Sequence, residues 1–199
     1  TSQRSWNKIS PKVRVGLCME MLEQLSKNCF LNTYASMHTA GMSFMMAFAG
    51  SGANALDRGL EALAHAHKAM EAIPFTTKFE RSFGKGPMTT IDKKYHIVGR
   101  GVAVVVCCGT FPTWNAYPAL FANLATGNSV VLKPHPNGIL PVAIAVQTCR
   151  KVLCEHGFDP NLVLLAADEP ENPITIPLIQ HKHTSIIDFT GSPSFGTWV

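Results

Sequence analysis

From residue 101 onward the chain alternates two kinds of apolar pattern. Val102 to Cys107 is an unbroken apolar run rich in β-branched residues, which predicts a strand buried on both faces. Ala116 to Ala125 reads as a helix closed by Gly127, since a glycine just past the last turn is a common stop. Val130 to Leu132 predicts a second strand. Pro141 to His156 predicts a helix followed by Gly157, Leu162 to Ala166 a third strand, Ile174 to Gln180 a short helix, and Ser185 to Phe189 a fourth strand. This repetition predicts an α/β fold, a parallel Rossmann-like sheet with helices on both faces and right-handed crossovers. The carboxyl ends of such strands share an edge, where ligands bind.

The first part of the chain is helical instead. Ser10-Pro11 is a helix start, a capping side chain followed by proline in the first turn. Leu17, Met21, Leu22, Leu25 and Cys29 recur at helical spacing, and Leu31, Tyr34, Ala35 and His38 form a second stripe broken at Gly41. A third stripe holds Leu56, Leu60, Leu63, His67, Met70 and Ile73. All three stripes, and the run Met42 to Met46, read as core packing. Residues 74 to 96 mix Pro74, Gly84, Gly86 and Pro87 with Lys, Arg and Thr, and read as a connection with one extended hairpin. It is either an arm that docks on another subunit or a surface excursion. The chain thus divides into a helical segment (1–73), a linker or hairpin (74–96) and an α/β part (97–199).

Composition narrows the function. The 199 residues are 46% hydrophobic and 15% charged, enough for a real core. The net charge of +4 is scattered, with no basic run of the kind that grips nucleic acid. The longest apolar stretches are too short to span a bilayer, and the first residues carry no signal-peptide pattern. The six cysteines, Cys18, Cys29, Cys107, Cys108, Cys149 and Cys154, form no CxxC pair. A reduced, cytoplasmic protein whose cysteines are mostly small core fillers is the simple reading. His65 and His67 lie two apart on a predicted helix and so point to different faces, and His181 and His183 have no Cys or carboxylate cluster nearby at ligand spacing, so no metal site is expected.

The candidate chemistry sits just past the predicted strands. Lys133 ends Gly127-Asn128-Ser129-Val130-Val131-Leu132-Lys133-Pro134, and Gly191-Ser192 ends Phe189-Thr190-Gly191-Ser192. A lysine there can bond ribose hydroxyls or pair with phosphate, or simply face solvent. Gly191-Ser192 can offer N–H groups and a hydroxyl to a pyrophosphate, or Ser192 can be an ordinary helix cap. His135, between Pro134 and Pro136, can reach a 2′-phosphate or stand idle. Thr110 can place a hydroxyl near a substrate or serve as a turn residue, and Asn115 can cap the next helix. No Gly-x-Gly-x-x-Gly follows the first strand and there is no P-loop, so a dinucleotide would bind in a variant mode.

These segments resemble the aldehyde dehydrogenase superfamily, which carries a Gly-Asn-Thr-Val-Val-Leu-Lys-Pro-like strand and a Phe-Thr-Gly-Ser-x-x-x-Gly turn in this order. Between them the family has a Gly-x-Pro-like turn, similar to Gly157-Phe158-Asp159-Pro160. The match covers residues 97–199, which the resemblance implies are a partial dinucleotide-binding domain, and Trp6, Arg14 and Met37-His38-Thr39-Ala40-Gly41 are similar to the family's opening helices. Asp57-Arg58-Gly59-Leu60-Glu61 and Thr110-Phe111-Pro112-Thr113-Trp114-Asn115 resemble a narrower subgroup, the ring-opening aldehyde dehydrogenases of phenylacetic acid degradation.

The resemblance implies roles. Lys133 would hold the adenosine ribose. Gly191, Ser192 and Gly196 would sit at the pyrophosphate, with Phe195 toward the adenine. Cys107 and Cys108 would line the nicotinamide end through backbone atoms. Thr110 lies eighteen residues before Asn128, where many members place an oxyanion-hole Asn. Asn115 is a rival only if the chain rearranges. Many NAD-using members carry Glu where Pro136 stands. Its loss removes a repulsion of the 2′-phosphate and makes NADP plausible beside NAD, with Lys133 and His135 contacting it. The nucleophilic Cys and general-base Glu lie beyond the Phe-Thr-Gly-Ser turn, and none of the six cysteines matches the nucleophile, so the chain resembles an N-terminal fragment. The full-length enzyme would oxidise an aldehyde, in the subgroup a ring-opened semialdehyde CoA thioester, as a cytoplasmic homo-oligomer without nucleic-acid or membrane partners. A non-catalytic scaffold is the alternative, and a nucleotide-binding regulatory domain a weaker one.

Overall fold

The computed structural model describes residues 2–199. A helical N-terminal part comprises α1 (Ser2–Trp6), α2 (Pro11–Lys27), α3 (Cys29–Ala40), α4 (Phe44–Ala47), a π-helical turn (Phe48–Ala53) and α5 (Asn54–Glu71). An antiparallel hairpin follows, β1 (Thr76–Ser82) and β2 (Met88–Lys94), almost entirely exposed. Then come β3 (Val102–Val106), α6 (Pro112–Ala125), β4 (Ser129–Lys133), α7 (Ile139–Glu155), β5 (Val163–Leu165), α8 (Thr175–Ile179), β6 (Thr184–Phe189) and α9 (Pro193–Trp198).

The four later strands form one parallel sheet in the order β5-β4-β3-β6. The chain runs outward from β3 through β4 to β5, then returns to the other side of β3. That reversal makes a topological switch point between β3 and β6, where doubly wound sheets open a crevice. The core joins Val105, Val130, Leu132 and Val163 of the sheet to Leu120, Leu124, Val142 and Val146 of α6 and α7, backed by Leu17, Met21 and Leu25 of α2 and Leu63 of α5.

The starts and stops have local causes. Ser10 caps α2 by accepting from the Val13 N–H. Gly41 stops α3 at φ 66°, a left-handed position that disfavours side chains with a Cβ. Helix α6 begins at Pro112 rather than Ala116, because proline suits the first turn and the Thr113 hydroxyl donates to Ser51 O at 2.8 Å. Asn115 therefore lies inside the helix and is not a cap. Helix α7 likewise starts at Ile139, with Pro141 in its first turn.

Three expectations about the core are corrected. The buried face of α5 is Ala55, Gly59, Leu63 and Met70, while Leu60 and Ile73 are exposed. Small residues win there because α5 packs closely on α6: a Cβ at Gly59 would stand 3.0 Å from a carbon of the Phe121 ring. Met45 and Met46 are exposed rather than core. Of the cysteines, Cys18, Cys107 and Cys149 are buried, Cys29 and Cys108 partly so, and Cys154 is exposed.

The N-terminal residues clamp the turn that feeds β4. Trp6 Nε1 donates to Leu124 O at 2.9 Å and Arg14 Nε to Ala125 O at 2.9 Å. Gln3 Nε2 donates to Gly127 O at 3.2 Å. Asn7 Oδ1 accepts from the Gly99 N–H at 2.7 Å. The bonds from Trp6 and Arg14 reach the last carbonyls of α6, which lack donors from a following turn. Gly127 makes the turn at φ 98°, pressed against Asn7 and Arg14.

Candidate functional site at the strand ends

Register builds the site. Val106 pairs with Lys133 on one side and Phe189 on the other, and Leu132 pairs with Leu165. All four strands therefore stop at one level, and the segments beyond them meet along a single edge. They enclose a cleft of about 740 Å³ lined by Cys107, Cys108, Lys133, His135, Pro136, Asp168, Gly191, Ser192 and Phe195, among others. A second compartment of about 810 Å³ adjoins it and adds Thr110, Phe111, Trp114 and Asn115, sharing Cys108, His135, Gly191 and Ser192. The sequence-derived candidates are thus brought together, except Gly196, which lines neither compartment.

Lys133 does not face solvent. It is 4% exposed, its Nζ donates to Pro134 O at 2.6 Å, and it lies 2.7 Å from Asp168 Oδ1. Sequence reasoning missed Asp168, although the strand-end logic that found Lys133 and Ser192 applies equally to the end of β5. Its side chain is 3% exposed, and Oδ2 accepts from the Ile174 N–H at 3.0 Å. Oδ1 is ion-paired with the ammonium. A buried carboxylate oxygen in that state still has acceptor capacity to offer.

On the β6 side, Ser192 caps α9, accepting from the Phe195 N–H at 3.4 Å, and the Phe195 ring packs against Phe189 at a tilt of 52°, with ring centres 5.0 Å apart. A Cβ at Gly191 would lie 2.5 Å from the Phe189 ring, and one at Gly196 would lie 3.3 Å from it. Glycine at both positions lets the turn fold over that ring. His135 uses Nδ1 locally, accepting from the Asn137 N–H at 3.2 Å. Gly109 passes against the His135 ring, where a Cβ would stand at 3.0 Å.

At the end of β3 the two adjacent cysteines part. Cys107 points into the core, and burial pushes its thiol up to about 12. Cys108 is half-buried and turns to the cleft. Burial pushes its thiol up as well, but hydrogen bonds from Thr110, the Phe111 N–H and Asn115 outweigh that and bring it below an ordinary cysteine. Thr110 Oγ1 is 3.2 Å from Cys108 Sγ, the Phe111 N–H donates at 3.4 Å, and Asn115 Nδ2 closes the set. Thr110 and Asn115 therefore converge on one point with no rearrangement of the chain, because the early start of α6 turns Asn115 toward the loop. The Phe111 ring that shapes this loop lies over Gly50 of the π-helical turn, where a Cβ would come within 2.2 Å.

No group of three or more His, Cys, Asp or Glu among the described residues could hold a metal ion. No helix among them is long and apolar enough to cross a membrane.

A doubly wound sheet with a glycine-lined cleft at its switch point defines the class of dinucleotide-binding α/β domains. The family model described as the aldehyde dehydrogenase family matches residues 1–199, and the chain belongs to that family. It is similar to the crystal structure of an NAD-dependent aldehyde dehydrogenase from Burkholderia multivorans, with 47% identity and a TM-score of 0.95, covering 99% of this chain and 36% of that one. It shares the fold of glyceraldehyde-3-phosphate dehydrogenase GapN from Methanocaldococcus jannaschii, complexed with NADP, at 16% identity and a TM-score of 0.72, covering 98% of this chain and 40% of that one. Among curated proteins it is 32% identical over 91 residues to the acetylating acetaldehyde dehydrogenase of Bilophila wadsworthia, 46% of this chain and 19% of that protein. The chain thus spans well under half the length of these relatives.

Proposed function

We propose that the full-length protein is an NAD(P)-dependent aldehyde dehydrogenase that oxidises an aldehyde to a carboxylic acid. The observation that carries this reading is the common level of the four strand ends, which sets Lys133, Asp168, Ser192 and Cys108 around one cleft. The residues present fit a dinucleotide: a buried cation, a buried carboxylate oxygen with spare acceptor capacity, and a glycine turn at the switch point.

In this reading Lys133 holds the adenosine ribose, and Gly191 and Ser192 lie along the pyrophosphate. Gly196 supports that turn from behind, and Phe195 faces the adenine. The backbone of Cys107 and Cys108, with Pro136 and His135 opposite, bounds the path to the nicotinamide end. The bound nucleotide supplies the hydride acceptor. Thr110 and Asn115 direct donors at the aldehyde oxygen and stabilise charge that develops there. The thiolate nucleophile and the general base are assigned to the region of the full-length protein following the Phe189–Ser192 turn.

The substrate assigned is a ring-opened semialdehyde, carried as a CoA thioester in aerobic phenylacetate degradation. The segments Asp57–Glu61 and Thr110–Asn115 support it by their resemblance to that subgroup. The reading includes a cytoplasmic homo-oligomer. The β1–β2 hairpin supports assembly, since it leaves Phe79 and Ile91 exposed on paired strands, an arrangement that invites a protein partner.

The test is a spectrophotometric assay of the full-length protein with NAD or NADP. Its substrates are a panel of straight-chain and aromatic aldehydes and a CoA-linked semialdehyde. The expected result is aldehyde-dependent reduction of the nucleotide with stoichiometric acid, fastest for the CoA-linked compound. Binding of nucleotide without reduction by any aldehyde would instead favour the scaffold alternative.

A further inference from the structure

The cleft that is read above as a dinucleotide site has a charge pattern that Pro136 alone does not suggest. Its lining holds one lysine, Lys133, and two carboxylates, Asp168 and Glu169. The lysine is already engaged, by Asp168 Oδ1 at 2.7 Å and by Pro134 O at 2.6 Å. The His135 imidazole is turned to its own loop. No free cation among the described lining residues is left for an additional phosphate.

Asp168 is also held like a working group. Its side chain is 3% exposed, Oδ2 is fixed by the Ile174 N–H, and Oδ1 is paired with the Lys133 ammonium at 2.7 Å. A carboxylate oxygen has two lone pairs, so Oδ1 can accept from a hydroxyl as well as from the ammonium. In dinucleotide-binding sheets, a carboxylate at a strand end accepts from ribose hydroxyls and disfavours a 2′-phosphate, whereas an unpaired cation there welcomes it. Position 136 lacks that carboxylate, but the end of the neighbouring strand β5 supplies one beside the same lysine.

We propose that Asp168 sets the nucleotide choice of this protein: its carboxylate accepts from the adenosine ribose and excludes a 2′-phosphate, so that NAD binds in preference to NADP. The inference rests on the dinucleotide-site reading and reverses the expectation drawn from Pro136. A 2′-phosphate brings close to two negative charges. Near a carboxylate that also neutralises Lys133, those charges meet repulsion without compensation.

The experiment is calorimetric titration of NAD and of NADP into the full-length protein, as wild type, Asp168→Asn and Asp168→Glu, with melting curves as the check on folding. The wild type should bind NAD more tightly by roughly tenfold or more. Asp168→Asn keeps the shape, removes the charge and frees Lys133. It should shift the ratio of the two dissociation constants toward NADP by about tenfold. Asp168→Glu should keep the preference for NAD, and Asp168→Ser replaces the Asn variant if that one melts below the titration temperature. A wild type that binds NADP as tightly as NAD, or an uncharged variant with an unchanged ratio, would overturn the proposal. A folded wild type that binds neither nucleotide would overturn the dinucleotide-site reading itself, and the proposal with it.

Discussion

Replacing Asn115 with alanine in the full-length protein is expected to lower kcat about 100- to 1000-fold, the size of effect that follows loss of one oxyanion donor. KM for the aldehyde should change little, and nucleotide affinity should not change. The reason is where the donor is mounted. Asn115 stands in α6, between the buried Thr113 and the buried Ala116 and Tyr117, so its amide is fixed by a packed helix. Thr110 is an exposed loop residue with a shorter reach. Both meet at Cys108 Sγ, which marks the spot their hydrogens address. Thr110→Val should therefore cost less than about tenfold, in the range of one neutral hydrogen bond to a mobile group. Asn115→Asp, equal in shape but without the N–H, should fall as far as alanine. Steady-state rates at saturating nucleotide check this. An Asn115→Ala enzyme at wild-type kcat, with Thr110→Val inactive, would return the oxyanion role to Thr110.

Arg14→Ala is expected to destabilise the protein by about 2 to 5 kcal/mol, the scale of leaving two buried carbonyls without donors at about 1 to 3 kcal/mol each. Arg14 is fully buried and has no carboxylate partner. Its guanidinium is held by carbonyls, Nε to Ala125 O and Nη1 to Ile9 O, both at 2.9 Å. The first closes the end of α6, where the helix dipole favours a cation. Burial lowers its pKa, the mark of a charge tolerated for what it holds. Alanine would leave a void and two carbonyls without donors. Arg14→Lys should recover only part of the loss, because one ammonium cannot reproduce the guanidinium fork. Urea unfolding followed by circular dichroism measures the difference. A midpoint unchanged from wild type would show that the clamp on the β4 turn contributes nothing.

The alternation of strand and helix after residue 101 was legible because each strand is a short apolar run between punctuating glycines and prolines, such as Val102–Val106 before Gly109 and Pro112. The edge on which Thr110, Lys133 and Ser192 would meet followed from parallel topology alone. What the pattern could not give was pairing across the sheet. Asp168 lies thirty-five residues after Lys133, and only the β4–β5 register brings the two together. The core face of α5 was misread for a related reason. Leu60 looks like core by periodicity, yet close contact with α6 selects Ala55 and Gly59, a choice made by the partner helix. Nor could the pattern show that the Arg14 guanidinium is enclosed by the carbonyls of Ala125 and Ile9.

The most direct test of the account is calorimetry of NAD with the full-length wild type beside Lys133→Ala. The cleft geometry requires saturable, one-to-one binding by the wild type, lost or weakened at least about tenfold in the variant, the scale of one charged hydrogen bond. Equal binding by both proteins would place the nucleotide away from the strand ends and contradict the account.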